Sequence, residues 1–239
     1  MDKKIITIIP ARGGSKGIPG KNIIDIAGKP LIGWSIEQSK KTALISDTYV
    51  STNDDDIAEV AKKYGAKIIR RPDELCMDDS TSESALIHAL SYLNEQEQIV
   101  PDYLVFLQAT SPLRNSEDLN NAILKLIAED ADSLFSGSKF DDFLFWEKDK
   151  NMLKSVNYDY LNRGRRQERL QQFVENGSIY IFKPQILLEN KNRLGGKIAI
   201  YEMDFWQTWE IDSIEDIELI EYYINKKLLL TDRNLPKGR

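Results

Sequence analysis

The stretch KIITIIPARGGSKGIPGKN (residues 4–22) joins a short apolar run to a loop rich in glycine and positive charge. The β-branched residues of IITIIP (5–10) predict a buried strand. The next twelve residues, 11–22, contain four glycines, one arginine and two lysines. A Gly-rich turn between a parallel strand and a helix exposes backbone N–H groups that, with nearby cations, form a cradle for phosphate oxygens. The stretch therefore predicts a polyphosphate site directly after the first strand.

Two familiar phosphate-binding fingerprints do not fit this loop. GxxxxGK[ST] fails because five residues separate Gly14 from Gly20 and because Asn22 follows Lys21, and GxGxxG is absent. We therefore expect neither a P-loop NTPase nor a Rossmann dinucleotide site. The glycines alone are equally compatible with a plain turn, but the cations at positions 12, 16 and 21 favour a polyphosphate ligand.

Strand-like and helix-like segments alternate along the rest of the chain. The predicted strands are 47–52, 66–71, 102–110, 132–138 and 177–184, and the predicted helices are 30–41, 54–65, 80–96, 116–130 and 211–230. Such alternation with short connections predicts an α/β fold, a mostly parallel sheet flanked by helices, in one domain spanning 1–239. Ser80 and Glu83 predict a capping box at the start of the third helix.

The alternation fails between about residues 138 and 175, which are rich in aromatic and charged residues without a clean period. One interpretation is a long surface excursion. The interpretation we favour is an arm that packs on a second subunit, because exposed Phe143, Phe145 and Trp146 would form an unusual apolar patch on a monomer. The segment is therefore expected to be an inserted dimerisation arm, and the protein a homodimer.

The composition of the 239 residues argues against several classes of protein. Hydrophobic residues make up 41% and charged residues 29%, which is ordinary for a globular protein, and no apolar run approaches the ~18 residues of a membrane-spanning helix. The net charge of −6 argues against a nucleic-acid partner. Cys76, the single cysteine, excludes an internal disulfide framework and a multi-cysteine zinc site. Because KIITIIP is too short for a signal-peptide core, we expect a cytoplasmic location and no membrane partner.

Several motifs, in order along nearly the whole chain, carry a resemblance to a known family. They are IIPARGGSKGIPGKNI, GKPLIGWSIE, STNDDDIAEVAKKYGA, RRPDEL, LQATSPLR, ENGSIYIF and EID before a helix. Together they resemble the cytidylyltransferases that activate 3-deoxy-2-keto sugar acids, in particular the N-acylneuraminate cytidylyltransferases. The resemblance implies a nucleotide-binding α/β fold with a dimerisation insertion, CTP as co-substrate, Mg²⁺ as cofactor and release of pyrophosphate.

The resemblance also implies roles for individual residues. Those implied to bind the nucleotide are Arg12, Ser15, Lys16, Lys21, Asn22, Arg71 and Ser82. Those implied to bind the sugar acid are Gln108, Arg166, Gln167 and Asn176. Those implied to be catalytic are Arg12, Lys16, Lys21 and Asp212, since cations near the leaving pyrophosphate stabilise its charge. Local roles remain open for some of them: Asn22 could be a loop cap, and Ser80 and Thr81 could cap the third helix.

The implied metal site lies in WEIDSIED. Glu210 and Asp212 stand two residues apart, so on a short strand their side chains would share a face. Mg²⁺ prefers a few carboxylates together with phosphate oxygens and water. The family usually has Asp-x-Asp here, so Glu210 departs from its pattern, and Asp212 could instead cap the helix that follows.

The region that would contact the sugar acid matches the family less well. Val174 and Glu175 stand before Asn176-Gly177, where sialic acid enzymes commonly have Arg-Pro, and Phe145 stands where they tend to have a cation. A lost cation and an added carboxylate fit a modified nine-carbon acid, such as legionaminic acid, at least as well as N-acetylneuraminate. The predicted reaction is transfer of CMP from CTP to the C2 hydroxyl of such an acid. The alternatives are an octulosonate or other sugar nucleotidyltransferase and a non-catalytic nucleotide-binding protein.

Overall fold

The computed structural model describes residues 3–140, 143–165, 167 and 170–229. Its strands are β1 (Ile5–Pro10), β2 (Asp25–Ile26), β3 (Lys29–Pro30), β4 (Asp47–Thr52), β5 (Lys67–Arg70), β6 (Tyr103–Leu107), β7 (Ser133–Lys139), β8 (Trp146–Asp149), β9 (Met152–Ser155), β10 (Phe173–Phe182) and β11 (Ile198–Glu202). Its α-helices are α1 (Leu31–Lys41), α2 (Asp55–Lys63), α3 (Ser82–Gln96), α4 (Ser116–Ala128), α5 (Pro184–Asn190) and α6 (Ile214–Tyr223).

Within the described residues, seven strands form one sheet in the order β11-β7-β10-β6-β1-β4-β5. The strands from β5 to β6 pair in parallel, and so do β7 and β11, whereas β10 runs antiparallel to both of its neighbours. Helices α1, α2 and α4 contribute to the apolar core on one face, and α3 and α5 to the core on the other. The predicted fold class, a mostly parallel sheet flanked by helices, is confirmed.

The central strand β1 shows why the opening stretch is so apolar. It pairs with β4 on one side and β6 on the other, and helices cover both faces. Ile5, Ile6, Ile8 and Ile9 are therefore all buried, with exposures of 2% or less. A strand buried on both faces has a continuous apolar run instead of an alternating one. The same position places the end of β1, and the loop after it, at the middle of the sheet.

A third apolar cluster fixes the Gly-rich loop to the carboxyl-terminal part of the chain. Ile18, the one large apolar residue of the loop, is buried in the same cluster as Ile211 and Ile220. The small β2–β3 hairpin and the first turns of α1 contribute Ile26, Leu31 and Trp34 to it. This packing brings residues near position 20 beside residues near position 211.

The start of α3 differs from the prediction. Thr81 is the N-cap, and its hydroxyl accepts a hydrogen bond from the backbone nitrogen of Ser84 at 3.1 Å. Ser80 instead donates to the carbonyl of Glu74, at 3.5 Å. Glu83 forms an ion pair with Arg193, with 2.8 Å between Oε1 and Nε. The predicted Ser80–Glu83 capping box is therefore wrong, because a tertiary ion pair occupies the glutamate.

Residues 138–175 contain the end of β7, the β8–β9 hairpin and the start of β10. The hairpin exposes large apolar side chains, among them Met152 (72%) and Leu153 (64%). Phe140 stacks on Phe143 with 4.4 Å between ring centroids. These exposed apolar side chains agree with the arm interpretation, and packing on a second subunit stays a prediction.

Two further elements were not predicted. Helix α5 and strand β11 lie between the predicted strand 177–184 and the terminal helix. Strand β10 also begins four residues earlier than expected, at Phe173, and its pairing with β7 is irregular between Glu175 and Tyr180. None of the helices in the described part of the chain combines the length and apolar character that crossing a membrane requires.

Candidate active site

The carboxyl ends of four parallel strands define the candidate site. The Gly-rich loop follows β1, Asn53 follows β4, Arg71 follows β5 and Gln108 follows β6. Because parallel strands end at the same edge of a sheet, these segments meet there, which is where open α/β sheets bind ligands.

Contacts with neighbouring segments hold the Gly-rich loop in place. The backbone nitrogen of Gly13 donates to Oδ1 of Asn53 at 3.1 Å, and the amide of Asn22 donates to the carbonyl of Arg12, also at 3.1 Å. At Gly17 a Cβ atom would lie 2.9 Å from the carbonyl oxygen of Asp212, so a side chain would force the two segments apart. The sequence thus uses glycine where the loop meets the segment after residue 209.

Lys21 links the loop to the predicted metal ligands. Its side chain is mostly covered, and Nζ donates to the carbonyl of Ile211 at 3.0 Å and to Oδ1 of Asp212 at 3.2 Å. A cavity of about 120 Å³ opens beside it; the lining includes Arg12, Gly13, Gly14, Ser15, Gly20, Lys21 and Asn22, with Asp54, Asp56 and Ile57 at the start of α2. Three of the four predicted phosphate ligands, Arg12, Ser15 and Lys21, therefore line one cavity together with Asn22, whereas Lys16 is not part of its lining.

The other two loop cations contact Asp78. Arg12 lies 3.2 Å from Oδ1 of Asp78, and Lys16 lies 2.5 Å from Oδ2. Arg12 also donates to the carbonyls of Cys76 and Met77, at 3.0 and 2.6 Å. The bonded Lys16 ammonium and the nearby Arg12 lower the pKa of Asp78. The segment after the short 3-10 turn at Asp73–Leu75 thus holds the cations that the sequence assigns to the triphosphate.

Glu210 and Asp212 do lie close together, although the segment is not a regular strand as expected. Its backbone is tied to the loop after β6 by the bond from Ile211 nitrogen to Thr110 oxygen, 2.9 Å long. Burial and then the charge of Asp212 raise the pKa of Glu210, whose hydrogen bonds from Ser111 (3.3 Å) and Thr110 (3.5 Å) are long. Two adjacent carboxylates, one of them paired with Lys21, are a donor set that suits a divalent cation.

The helix after this pair is capped by another residue. Oδ2 of Asp216 accepts from the backbone nitrogens of Asp212 and Ser213, at 2.9 and 2.7 Å, and Ser213 is the N-cap. The alternative role of Asp212 as the cap is therefore wrong, and its exposed carboxylate faces Lys21. No group of three or more His, Cys, Asp or Glu side chains in the described residues is arranged to hold a metal alone. The pair fits Mg²⁺ if phosphate oxygens and water supply the other ligands.

Arg71 is a buried cation with two donor atoms that lack partners in the described residues. It is 7% exposed, and within the described residues its Nε and Nη2 donate no hydrogen bond. Burial lowers the pKa of Arg71, and burial together with Arg71 lowers that of His88. Buried donors without partners are costly, so a ligand with acceptor atoms would stabilise them. Ser82, the other residue predicted near the base and ribose, is the first residue of α3.

The residues predicted to bind the sugar acid fall into three groups. Gln108 lies against Gly177 of β10, since a Cβ atom added to this glycine would overlap Oε1 of Gln108. The same Cβ would lie 3.4 Å from Oε2 of Glu210. Asn176 is buried and already bonded, since its Oδ1 accepts from Ser136 at 2.6 Å and from Ser178 nitrogen at 3.2 Å. Gln167 is exposed, and Arg166 lies outside the described residues. The structure thus brings Gln108 to the carboxylate pair, whereas Asn176 mainly shapes the irregular strand.

Arg114 supports the loop that follows β6. It is fully buried, and its guanidinium donates to Ser111, Ser178, Ser35 and the carbonyl of Gln108. Burial lowers the pKa of Arg114 to about 9. Its contacts fix the backbone from which Gln108 and the partners of Glu210 project.

Sequence analysis missed Asn53 and Asp78. Asn53 could have been found, because STND directly follows a predicted parallel strand and polar residues at that position face the ligand edge. Asp78 had no such signal, since it meets the loop cations across more than sixty residues of chain.

The sequence matches one family model, described as cytidylyltransferase, over residues 6–233. It is 33% identical to the pseudaminic acid cytidylyltransferase of Campylobacter jejuni over 228 residues, which cover 93% of this chain and 97% of that protein. It is 37% identical to the N-acylneuraminate cytidylyltransferase of Oncorhynchus mykiss, covering 84% of this chain and 46% of that longer protein.

Among solved structures, the fold is similar to that of a CMP:2-keto-3-deoxy-manno-octonic acid synthetase complexed with CTP. The TM-score is 0.70 at 17% identity, and the match covers 96% of this chain and 99% of that chain. At that identity the likeness concerns the fold alone. The family match and the two relatives show more than the fold, because they identify the family of the chain. This chain belongs to the cytidylyltransferase family, and it is a nucleotidyltransferase.

Proposed function

We propose that the protein transfers CMP from CTP to the C2 hydroxyl of a nine-carbon 2-keto-3-deoxy sugar acid and releases pyrophosphate. The observation that carries the proposal is the contact between Lys21 and Asp212, because it joins the Gly-rich loop and its cavity to the carboxylate pair. The relatives named for pseudaminic acid and N-acylneuraminate support a nine-carbon acceptor.

In this proposal the loop stabilises the leaving group. Arg12, Lys16 and Lys21 would contact the phosphates and neutralise the charge that develops on pyrophosphate, which is the main contribution a protein makes in this type of transfer. Arg71 would satisfy its unpartnered donors on the nucleotide. Gln108, beside Glu210, would orient the sugar acid so that its hydroxyl faces the α-phosphate.

Asp212 and Glu210 are the proposed ligands of Mg²⁺. A divalent cation held there would supply Lewis-acid neutralisation of the triphosphate. Glu210 has the longer side chain of the two, and after burial the charge of Asp212 is the next cause of its raised pKa. A cytoplasmic location belongs to the same proposal.

We also propose that the protein is a homodimer joined through the arm at about 138–175. The support is the exposure of Met152, Leu153 and Leu170 on this segment, since apolar side chains of that size favour contact with another protein. Light scattering on the wild-type protein and on Leu153→Glu tests it. A dimer that dissociates in the variant is expected, and a monomeric wild type would contradict the proposal.

The reaction is tested by pyrophosphate release with CTP and Mg²⁺ on N-acetylneuraminate, legionaminic acid, pseudaminic acid, deaminated neuraminate and octulosonate. We expect release of pyrophosphate with at least one nine-carbon acid. This release should be lost in Asp212→Asn and retained in Lys125→Met. Lys125 pairs with Glu129 at the carboxyl end of α4, away from the site. CTP binding without release on any of these acids would overturn the proposal and favour a nucleotide-binding protein. Release with octulosonate alone would favour the eight-carbon alternative.

A further inference from the structure

A charged layer covers two aromatic rings on the α3 side of the sheet. The rings of Phe106 and Tyr180 stack with 5.4 Å between centroids. Cζ of Arg193 lies 4.8 Å from the first centroid and 4.6 Å from the second, and its Nε donates to Glu83 at 2.8 Å. Both rings are almost fully buried, so the guanidinium forms the surface above them. Without Arg193, this wall would be aromatic and apolar.

The layer includes neighbours of residues from both halves of the candidate site. Glu83 directly follows Ser82, on the side where the nucleotide base and ribose are expected. Phe106 on β6 precedes Gln108, the residue directly after this strand, by two positions, so continued alternation directs the two side chains to the same face. The charge of Glu210 contributes to the environment of the Tyr180 hydroxyl. A sugar acid held by Gln108 would therefore lie next to this wall.

A carboxylate stands at the other end of the wall. The hydroxyl of Tyr180 donates to Oε1 of Glu175, which is otherwise exposed. In the described part of the chain, Oε2 of Glu175 accepts no hydrogen bond, and Arg193 donates only through Nε. The wall thus offers guanidinium N–H donors over the ring of Tyr180 and a carboxylate acceptor at its hydroxyl.

We propose, on the basis of the function proposed above, that Arg193 and Glu175 determine specificity by binding an N-acyl group of the sugar acid. The acyl oxygen accepts from a terminal nitrogen of Arg193, and the amide N–H donates to Oε2 of Glu175. A neutral amide suits two groups of opposite charge, whereas a free ammonium would be repelled by Arg193 and a carboxylate by Glu175. The substrate class is therefore an acylamino nine-carbon acid in preference to its deaminated counterpart.

Steady-state kinetics with CTP and Mg²⁺ test this proposal on N-acetylneuraminate, a 5,7-di-N-acyl nonulosonate and deaminated neuraminate. The variants are Glu175→Gln, which keeps an acceptor for Tyr180, Arg193→Met, and Arg193→Lys, which retains the cation. Lys125→Met is the control for loss of a surface charge. CTP binding to each variant, measured by calorimetry, shows that the nucleotide half of the site is intact.

We expect the wild-type protein to prefer the acylamino acid. In Glu175→Gln and Arg193→Met, kcat/KM for that acid should fall by about tenfold or more, because KM for the acid rises. The KM for CTP and activity on the deaminated acid should change by no more than about threefold. Arg193→Lys should recover part of the loss.

Unchanged discrimination in Glu175→Gln, with wild type active, would overturn the specificity proposal and leave the proposed function in place. A wild type that is inactive on every acid would overturn the proposed function itself. If Arg193→Met fails to fold, Glu175→Gln still decides the question, because its side chain is exposed and isosteric with the original.

Discussion

Replacing Arg114 by methionine should destabilise the protein strongly, even though it removes a buried charge. The guanidinium is fully buried and donates to Ser35 (2.5 Å), to the carbonyl and hydroxyl of Ser178 (both 3.2 Å), to the carbonyl of Gln108 (3.2 Å) and to that of Ser111. Burial of the charge is unfavourable, as the lowered pKa of Arg114 shows. Two effects of the substitution therefore oppose each other.

The magnitudes decide between these effects. Desolvation of a buried ion costs several kcal/mol, which methionine would recover. Methionine would also leave several buried acceptors without donors, at about 1–3 kcal/mol each. Because the acceptors belong to three separate segments that cannot all rearrange, we expect a net loss of about 3–5 kcal/mol, as when one partner of a buried polar network is removed. For a chain of this size that corresponds to a fall in Tm of about 6–20 °C.

Thermal unfolding followed by circular dichroism measures the change, with Arg70→Met as the matched control. Arg70 is an exposed arginine paired with Asp55, so its loss should change stability by less than about 1 kcal/mol. If Arg114→Met unfolds at the wild-type temperature or above it, the desolvation cost exceeds the value of the hydrogen bonds. The argument that Arg114 holds the loop after β6 would then be refuted.

Three further outcomes test other parts of the site. Asp78→Asn should lower the dissociation constant for CTP by about twofold to fivefold in calorimetry. The reason is that Asp78 forms exposed ion pairs with Arg12 and Lys16 and so competes with phosphate for these two cations. Weaker CTP binding would show that Asp78 instead positions the two cations. Gly177→Ala should raise KM for the sugar acid, since φ is +65° and a Cβ would displace Gln108; unchanged kinetics would contradict that contact. His88 is the single histidine, so NMR can follow its titration directly. Burial and then the charge of Arg71 lower the pKa of His88, which means that folding favours the neutral imidazole. The free energy of unfolding should therefore fall as the pH drops through the pKa of the folded state. A titration at or above the ordinary value of 6.5 would contradict this.

The sequence predicts the fold well where burial imposes a simple pattern. The apolar run of β1 and the spacing of α1 and α4 follow directly from covering both faces of a parallel sheet, and the observed bounds agree closely with them. Strand β11 was missed because it lies at the sheet edge, with one buried residue, Ala199, among exposed and half-buried neighbours. An edge strand needs no apolar run, so periodicity gives little indication of it.

The candidate site also contains some residues that the sequence locates and others that it does not. Lys21 and Asn22 could be located from the sequence, since their loop follows a recognisable strand. The pairs Arg12–Asp78 and Glu83–Arg193 could not, because each joins distant segments, and the second removed Glu83 from the local capping box that its spacing favours. Local pattern indicates which backbone reaches the site, whereas the partner of each charged side chain depends on how distant segments pack.

In the proposed function, the charges at the site would give a divalent cation a second role besides the chemical step, namely in nucleotide binding. Lys21 is already bonded to Asp212, and Arg12 and Lys16 to Asp78, so the loop cations are largely neutralised by protein carboxylates. A triphosphate placed in the cradle would release some of these pairs and would also bring its negative charge towards Glu210 and Asp212. Burial first, and then the charge of Asp212, already raise the pKa of Glu210, so additional negative charge beside this pair would be unfavourable. A divalent cation held by Glu210 and Asp212 would offset this repulsion, so we expect the carboxylate pair to couple metal binding to nucleotide binding.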